Sequence, residues 1–235
     1  MTFRERESLG EVGRACYTYG MLRAADSARA LGFKEITVVE FGVADGRGIL
    51  AIIEVAPEIE RETGVGIRIV GFDSGVGLPK PKDYRDHPEI WHEGQFPTTD
   101  REQFDHRING RATVIWGDIA WTGLEFFAGS KLKNAPLGFA AVDVDLYSSA
   151  KHALACLMVA PDKFLPAVSL YFDDTSFFTA NEWCGELLAI KEFNEIDPMR
   201  KIGADRSLPW SRRTIGPWTP GMRVLHIFDH ERRRG

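Results

Sequence analysis

Ile36-Thr37-Val38-Val39-Glu40-Phe41-Gly42-Val43-Ala44-Asp45-Gly46-Arg47-Gly48 is the stretch on which the fold turns. The run Ile36 to Phe41 is β-branched and aromatic with no apolar-polar alternation, which suits a strand buried on both faces of a parallel sheet. Gly42 to Gly48 is a glycine-rich turn, and Ile49 to Ile53 opens a helix.

The same pattern recurs downstream. Ile67 to Phe72 ends at Asp73, Thr113 to Trp116 at Gly117-Asp118, Leu137 to Val142 at Asp143-Val144-Asp145, and Val168 to Phe172 at Asp173-Asp174. Ala150, Ala153, Leu154, Leu157 and Met158 mark an amphipathic helix, 182–193 reads as another, and 223–228 as a late strand. Upstream, apolar positions recur every three or four residues and predict an N-terminal helix over 8–31, closed by Gly32. Strands alternating with helices predict an α/β fold with a doubly wound, mostly parallel sheet, whose ligands bind outside the carboxyl ends of the strands. One domain over 1–235 is expected. The stretch 75–109, rich in Pro, Asp, His and Trp, is too irregular for the sheet and is a candidate active-site lid.

Composition narrows the function classes. With 34 acidic and 29 basic residues the net charge is −5, so a nucleic-acid partner is not expected; Arg232-Arg233-Arg234 reads as a solvated tail. Cys16, Cys156 and Cys184 form no CxxC pair, which predicts a reducing compartment and no zinc cluster. The N-terminus is charged where a signal peptide would be apolar, and no run approaches the roughly 18 apolar residues of a membrane span. A cytoplasmic protein without membrane contact is expected, and its oligomeric state is left open, a homo-oligomer included.

Glycine-rich turns let a ligand approach the backbone, although they also join strands to helices with no ligand. Asp73, at the end of the next strand, suits both ribose hydroxyls of a cofactor lying across the sheet edge. Gly46-Arg47-Gly48-Ile49-Leu50-Ala51 satisfies the dinucleotide fingerprint G-x-G-x-x-A, which keeps an NAD-dependent oxidoreductase as an alternative. In that fingerprint, however, the first glycine follows the strand directly, whereas residues 42–45 separate Phe41 from Gly46. Glu40 suits a cofactor that carries a positive amino group there and no phosphate.

Glu40-Phe41-Gly42-Val43 with its glycines, Gly71-Phe72-Asp73-Ser74 followed by Gly77-Leu78-Pro79, Val142-Asp143-Val144-Asp145-Leu146-Tyr147-Ser148-Ser149, and Asp173-Asp174 together resemble the macrocin O-methyltransferase family. The resemblance implies a Rossmann-like class I methyltransferase with a seven-stranded sheet, S-adenosylmethionine as methyl donor, a bound Mg2+ ion, and a small-molecule hydroxyl, such as a sugar of a natural product, as acceptor. It further implies that Glu40 and Gly42 contact the methionine portion, with Asp45 and Gly46 in the same loop, that Asp73 and Ser74 serve the ribose, that Asp118 and Ile119 serve the adenine, and that Asp143 also lies against the cofactor. Asp118 reads equally as the N-cap of the helix that follows. Asp143, Asp173 and Asp174 correspond to the family's metal ligands; hard carboxylate oxygens at neighbouring strand ends suit magnesium, while paired aspartates also cap helices.

Asp145 is divided between an N-cap for the helix after Tyr147, the favoured reading, and an acid that supports the metal ligands from behind. The general base is not evident: Leu146 stands where a catechol-type methyltransferase has lysine. Asp143, His92 in the insertion and His226 in the last strand are the candidate catalytic groups. Trp91, Phe96, Trp183 and Trp210 are candidates for an acceptor wall, or simply for the core. Without an evident base, a cofactor-binding homologue that has lost catalysis stays open.

Overall fold

Strand β1 (Glu35–Phe41) lies inside a seven-stranded sheet, and the two parities of its side chains feed two separate cores. Ile36 and Val38 pack into one core; Val39 and Phe41 pack into the other. The computed structural model describes residues 1–234. Along the chain it has α1 (Phe3–Leu9), α2 (Ala15–Ala30), β1, α3 (Arg47–Thr63), β2 (Gly66–Asp73), α4 (Arg101–Ile108), β3 (Thr113–Trp116), α5 (Ile119–Ala128), β4 (Leu137–Val142), α6 (Tyr147–Ala155), β5 (Phe164–Phe172), α7 (Gly185–Ile196), β6 (Arg200–Ala204), α8 (Leu208–Ser211) and β7 (Met222–Ile227).

The spatial order is β3, β2, β1, β4, β5, β7, β6. Strands β1 to β5 pair in parallel, whereas β7 runs antiparallel to both β5 and β6, so the sheet is mixed but mostly parallel. Helices α1 to α4 cover one face and α5 to α7 the other. This is the doubly wound arrangement that alternating strands and helices require. No helix among the described residues is long and apolar enough to cross a membrane.

Three local expectations change. The single helix over 8–31 is two helices, because Gly10 closes α1 in a left-handed conformation (φ 78°) and Arg14 opens α2 in another (φ 40°). Strand β6, Arg-Lys-Ile-Gly-Ala, has no strand-like sequence pattern, and it sits at the sheet edge, where charged residues and glycine are tolerated. Strand β5 starts at Phe164 and not at Val168: between the pairs Leu137 with Phe164 and Phe139 with Ser169 the register shifts, and Pro166 occupies that irregularity.

Candidate active site

A cavity of about 1150 Å³ opens at the carboxyl ends of the parallel strands, between the loops that follow β1 to β5 and the 75–109 insertion. The turn after β1 forms its floor. Gly42 has φ 86°, and a Cβ there would lie 1.7 Å from the Asp143 carbonyl oxygen, so only glycine lets the ends of β1 and β4 come this close. Asp73 ties the turn down: Oδ2 accepts from the backbone N–H groups of Val43 and Ala44, both at 2.8 Å, and Oδ1 accepts from Gly75 N at 2.6 Å. Ser74 Oγ accepts from Val76 N and donates to Gly77 O. Asp45 lines the cavity and meets Thr99 at long range, 3.4 to 3.5 Å, and Gly46, in left-handed conformation, is the N-cap of α3.

Glu40 shares the parity of Ile36 and Val38, which points it toward α2. There the Tyr17 hydroxyl donates to its Oε1 at 2.8 Å. The residue is only 1% exposed, yet Oε2 has no partner and the residue lines the cavity. Burial, and after it the charge of Asp143, push this carboxyl up to about 8. Asp118 performs two tasks: Oδ1 caps α5 through Ala120 N at 2.9 Å, and the residue lines the cavity together with Ile119.

At the ends of β4 and β5 the picture differs. Asp143, Asp145, Asp173 and Asp174 all line the cavity. Burial, then the neighbouring Asp173, pushes Asp143 up to about 7; burial, then Asp143, pushes Asp145 up to about 7; burial, then Asp145, pushes Asp174 up to about 8. Asp145 is not the cap of α6. It sits at φ 60°, and Leu146 holds the N-cap position without a side-chain bond. The cap comes from the insertion, where buried Asp86 accepts from Ser148 N at 2.7 Å and from Lys82 N at 2.8 Å.

The three expected metal ligands share the cavity but do not form a metal site. Among the described residues no three carboxylate, histidine or cysteine side chains are grouped so as to hold an ion. Asp143 Oδ2 accepts from Arg14 Nη2 at 3.0 Å, Asp173 Oδ1 accepts from the Tyr171 hydroxyl at 2.8 Å, and the Asp174 backbone N–H donates to Glu186 Oε2, on α7, at 3.0 Å. As they stand, these side chains do not fit magnesium.

The histidine candidates are also displaced. His92 is exposed on the insertion and does not line the cavity. His226 pairs with Ala167, near the start of β5 and far along the strand from Asp173, because β7 runs against its neighbours and carries its late residues away from the site. The histidine that does line the cavity is His152, on α6 with Ser148 and Ser149. The spacing 148, 149, 152 is one helix face, and this was the signal available for it. Arg14 and Glu186 were also missed, since neither lies near an aspartate in sequence. Of the aromatic candidates, Trp91 and Phe96 line the cavity, with ring centroids 6.1 Å apart, whereas Trp210 is exposed on α8 and Trp183 is exposed before α7.

No protein-family model matches the sequence, and no curated protein is similar to it. Among solved structures the chain is similar to the calicheamicin methyltransferase CalS11, with a TM-score of 0.59 at 19% identity over 90% of this chain and 79% of that one. It is similar also to the O-methyltransferase NovP, with a TM-score of 0.58 at 14% identity over the same shares of the two chains. At these identities what is shared is the fold.

Proposed function

We propose that this chain is an S-adenosylmethionine-dependent O-methyltransferase acting on a hydroxyl of a small molecule, of the sugar or natural-product kind. The observation that carries this reading is Glu40, a carboxylate buried at the end of β1 with one oxygen unpartnered beside the cavity. A buried carboxyl held up to about 8 with one oxygen unpartnered ionises at neutral pH only beside a cation, and a phosphate there would be repelled. The names of the two similar structures, both methyltransferases, support the same donor.

When bound, S-adenosylmethionine supplies a methyl group activated on a sulfonium. Glu40 would hold its amino group, the turn at Gly42 its methionine backbone, Asp73 its ribose, and Asp118 with Ile119 its adenine. Asp73 keeps about one acceptor site free for this, on Oδ1, since its two oxygens accept three bonds in all and a carboxylate has about four sites. Asp143 and Asp145, both held up to about 7, are suited to take the proton of an acceptor hydroxyl near neutral pH. The insertion, with Trp91 and Phe96, walls the acceptor side and excludes water.

Thermal melting tests the donor. S-adenosylhomocysteine should raise the melting temperature, a ligand at 100 times its Kd adding about 2.7 kcal/mol, and NAD should not. A shift with NAD alone would transfer the site to the oxidoreductase reading.

A further inference from the structure

The acidic edge already contains a cation. Arg14, at the N-terminus of α2, lines the cavity and bonds Asp143 Oδ2 at 3.0 Å, a contact spanning 129 residues of sequence. The same Nη2 donates to the Tyr17 hydroxyl at 3.0 Å, and the guanidinium carbon stands 4.2 Å from the centroid of the Tyr17 ring. Tyr17 is fully buried and passes its own proton donation to Glu40. Asp143, Arg14, Tyr17 and Glu40 therefore form one hydrogen-bonded chain, with Arg14 donating in both directions, that links the β4 end of the cavity to Glu40.

We propose that Arg14 is the resident cation of this edge, standing beside Asp143 where a divalent ion would otherwise bind and keeping such an ion out. A guanidinium is permanently charged and planar, and here the ring of Tyr17 beneath it and two acceptors fix it. A divalent ion using Asp143 would have to displace it or lie against it as a like charge. Of the other members of the expected ligand set, Asp173 Oδ1 is engaged by the Tyr171 hydroxyl, and Asp174 is tied through its backbone N–H to Glu186 while its Oδ2 has no partner. The inference rests on the methyl-transfer reading for the meaning of the edge, but its test needs no turnover.

Mn2+ is the probe, followed by the electron paramagnetic resonance signal of the free ion as full-length protein is added, with S-adenosylhomocysteine binding measured in parallel by calorimetry. Wild-type protein should leave the signal of free Mn2+ unchanged. Arg14→Met, which keeps an unbranched stem over Tyr17 without the charge, should take up one ion at least about tenfold more tightly than wild type. Arg14→Met combined with Asp143→Asn should lose that uptake, and Arg14→Lys should behave as wild type. Tight Mn2+ binding by wild type that Asp143→Asn abolishes would overturn the proposal, as would a folded Arg14→Met protein that gains no affinity. Should Arg14→Met fail to fold, the wild-type arm decides alone. Absence of S-adenosylhomocysteine binding to wild type would defeat the methyl-transfer reading while leaving the manganese arms to judge Arg14.

Discussion

The two ends of the cavity are built in opposite ways. Around β1 and β2 one carboxylate, Asp73, satisfies three backbone donors from Val43, Ala44 and Gly75, so the turn is held before any ligand arrives. Around β4 and β5 the carboxylates outnumber their partners: Asp174 Oδ2 and Glu186 Oε1 are buried with no bond, and Asp143, Asp145 and Asp174 are all held well above the usual carboxylate range. At the first end Asp73 serves rigidity, and Glu40 alone keeps an unpartnered oxygen. The second keeps more acid than Arg14 neutralises where chemistry can use it, at a cost in stability.

The sharpest way to break this contrast is a matched pair of substitutions. Asp73→Ala removes three charge-assisted hydrogen bonds and should cost about 3 kcal/mol or more, together with most of the affinity for S-adenosylhomocysteine. Asp174→Asn, at the other end, should leave stability unchanged or raise it at pH 8, since it removes a charge that Asp145 and Asp143 repel. Urea unfolding of both variants compares them directly, and equal losses would mean that the two ends do not differ in kind.

A smaller effect sharpens the role of Glu40. Its carboxyl titrates at about 8 in the folded protein against an ordinary 4.5, so the folded state binds this proton more tightly than the unfolded chain does. The stability it contributes is full below 4.5 and is lost as pH rises toward 8, with a slope of at most about 1.4 kcal/mol per pH unit from this one group. Glu40→Gln, which can still accept from Tyr17, should flatten the fall in stability between pH 5 and 8 by up to about that slope. A variant whose pH profile superimposes on that of wild type would show that Glu40 is ionised throughout.

The smallest effect is expected at His226. Its place beside Ala167 puts it outside the cavity, so His226→Ala should leave S-adenosylhomocysteine affinity and any methyl transfer at wild-type levels. A loss of transfer with affinity intact would return the late strand to the site.

Much of this was legible in local sequence. Buried parallel strands advertise themselves by unbroken β-branched and aromatic runs, so β1 to β4 lie within a residue or so of where the sequence places them, and the acid at the end of each parallel strand reaches the cavity because a strand end in such a sheet has nowhere else to go. Gly42 is demanded by a close backbone approach, which a glycine after a strand signals. Tertiary structure alone decided which acids are free. Arg14 meets Asp143, Asp86 caps α6 in place of Asp145, and Glu186 holds Asp174 through pairings whose partners stand 129, 62 and 12 positions apart. It also decided that His226 faces away, through the direction of one strand. Strand and turn formation draw on interactions between near neighbours, which residue order displays; ion pairs and caps form between whichever side chains the packed layers bring together, and residue order carries no local mark of them.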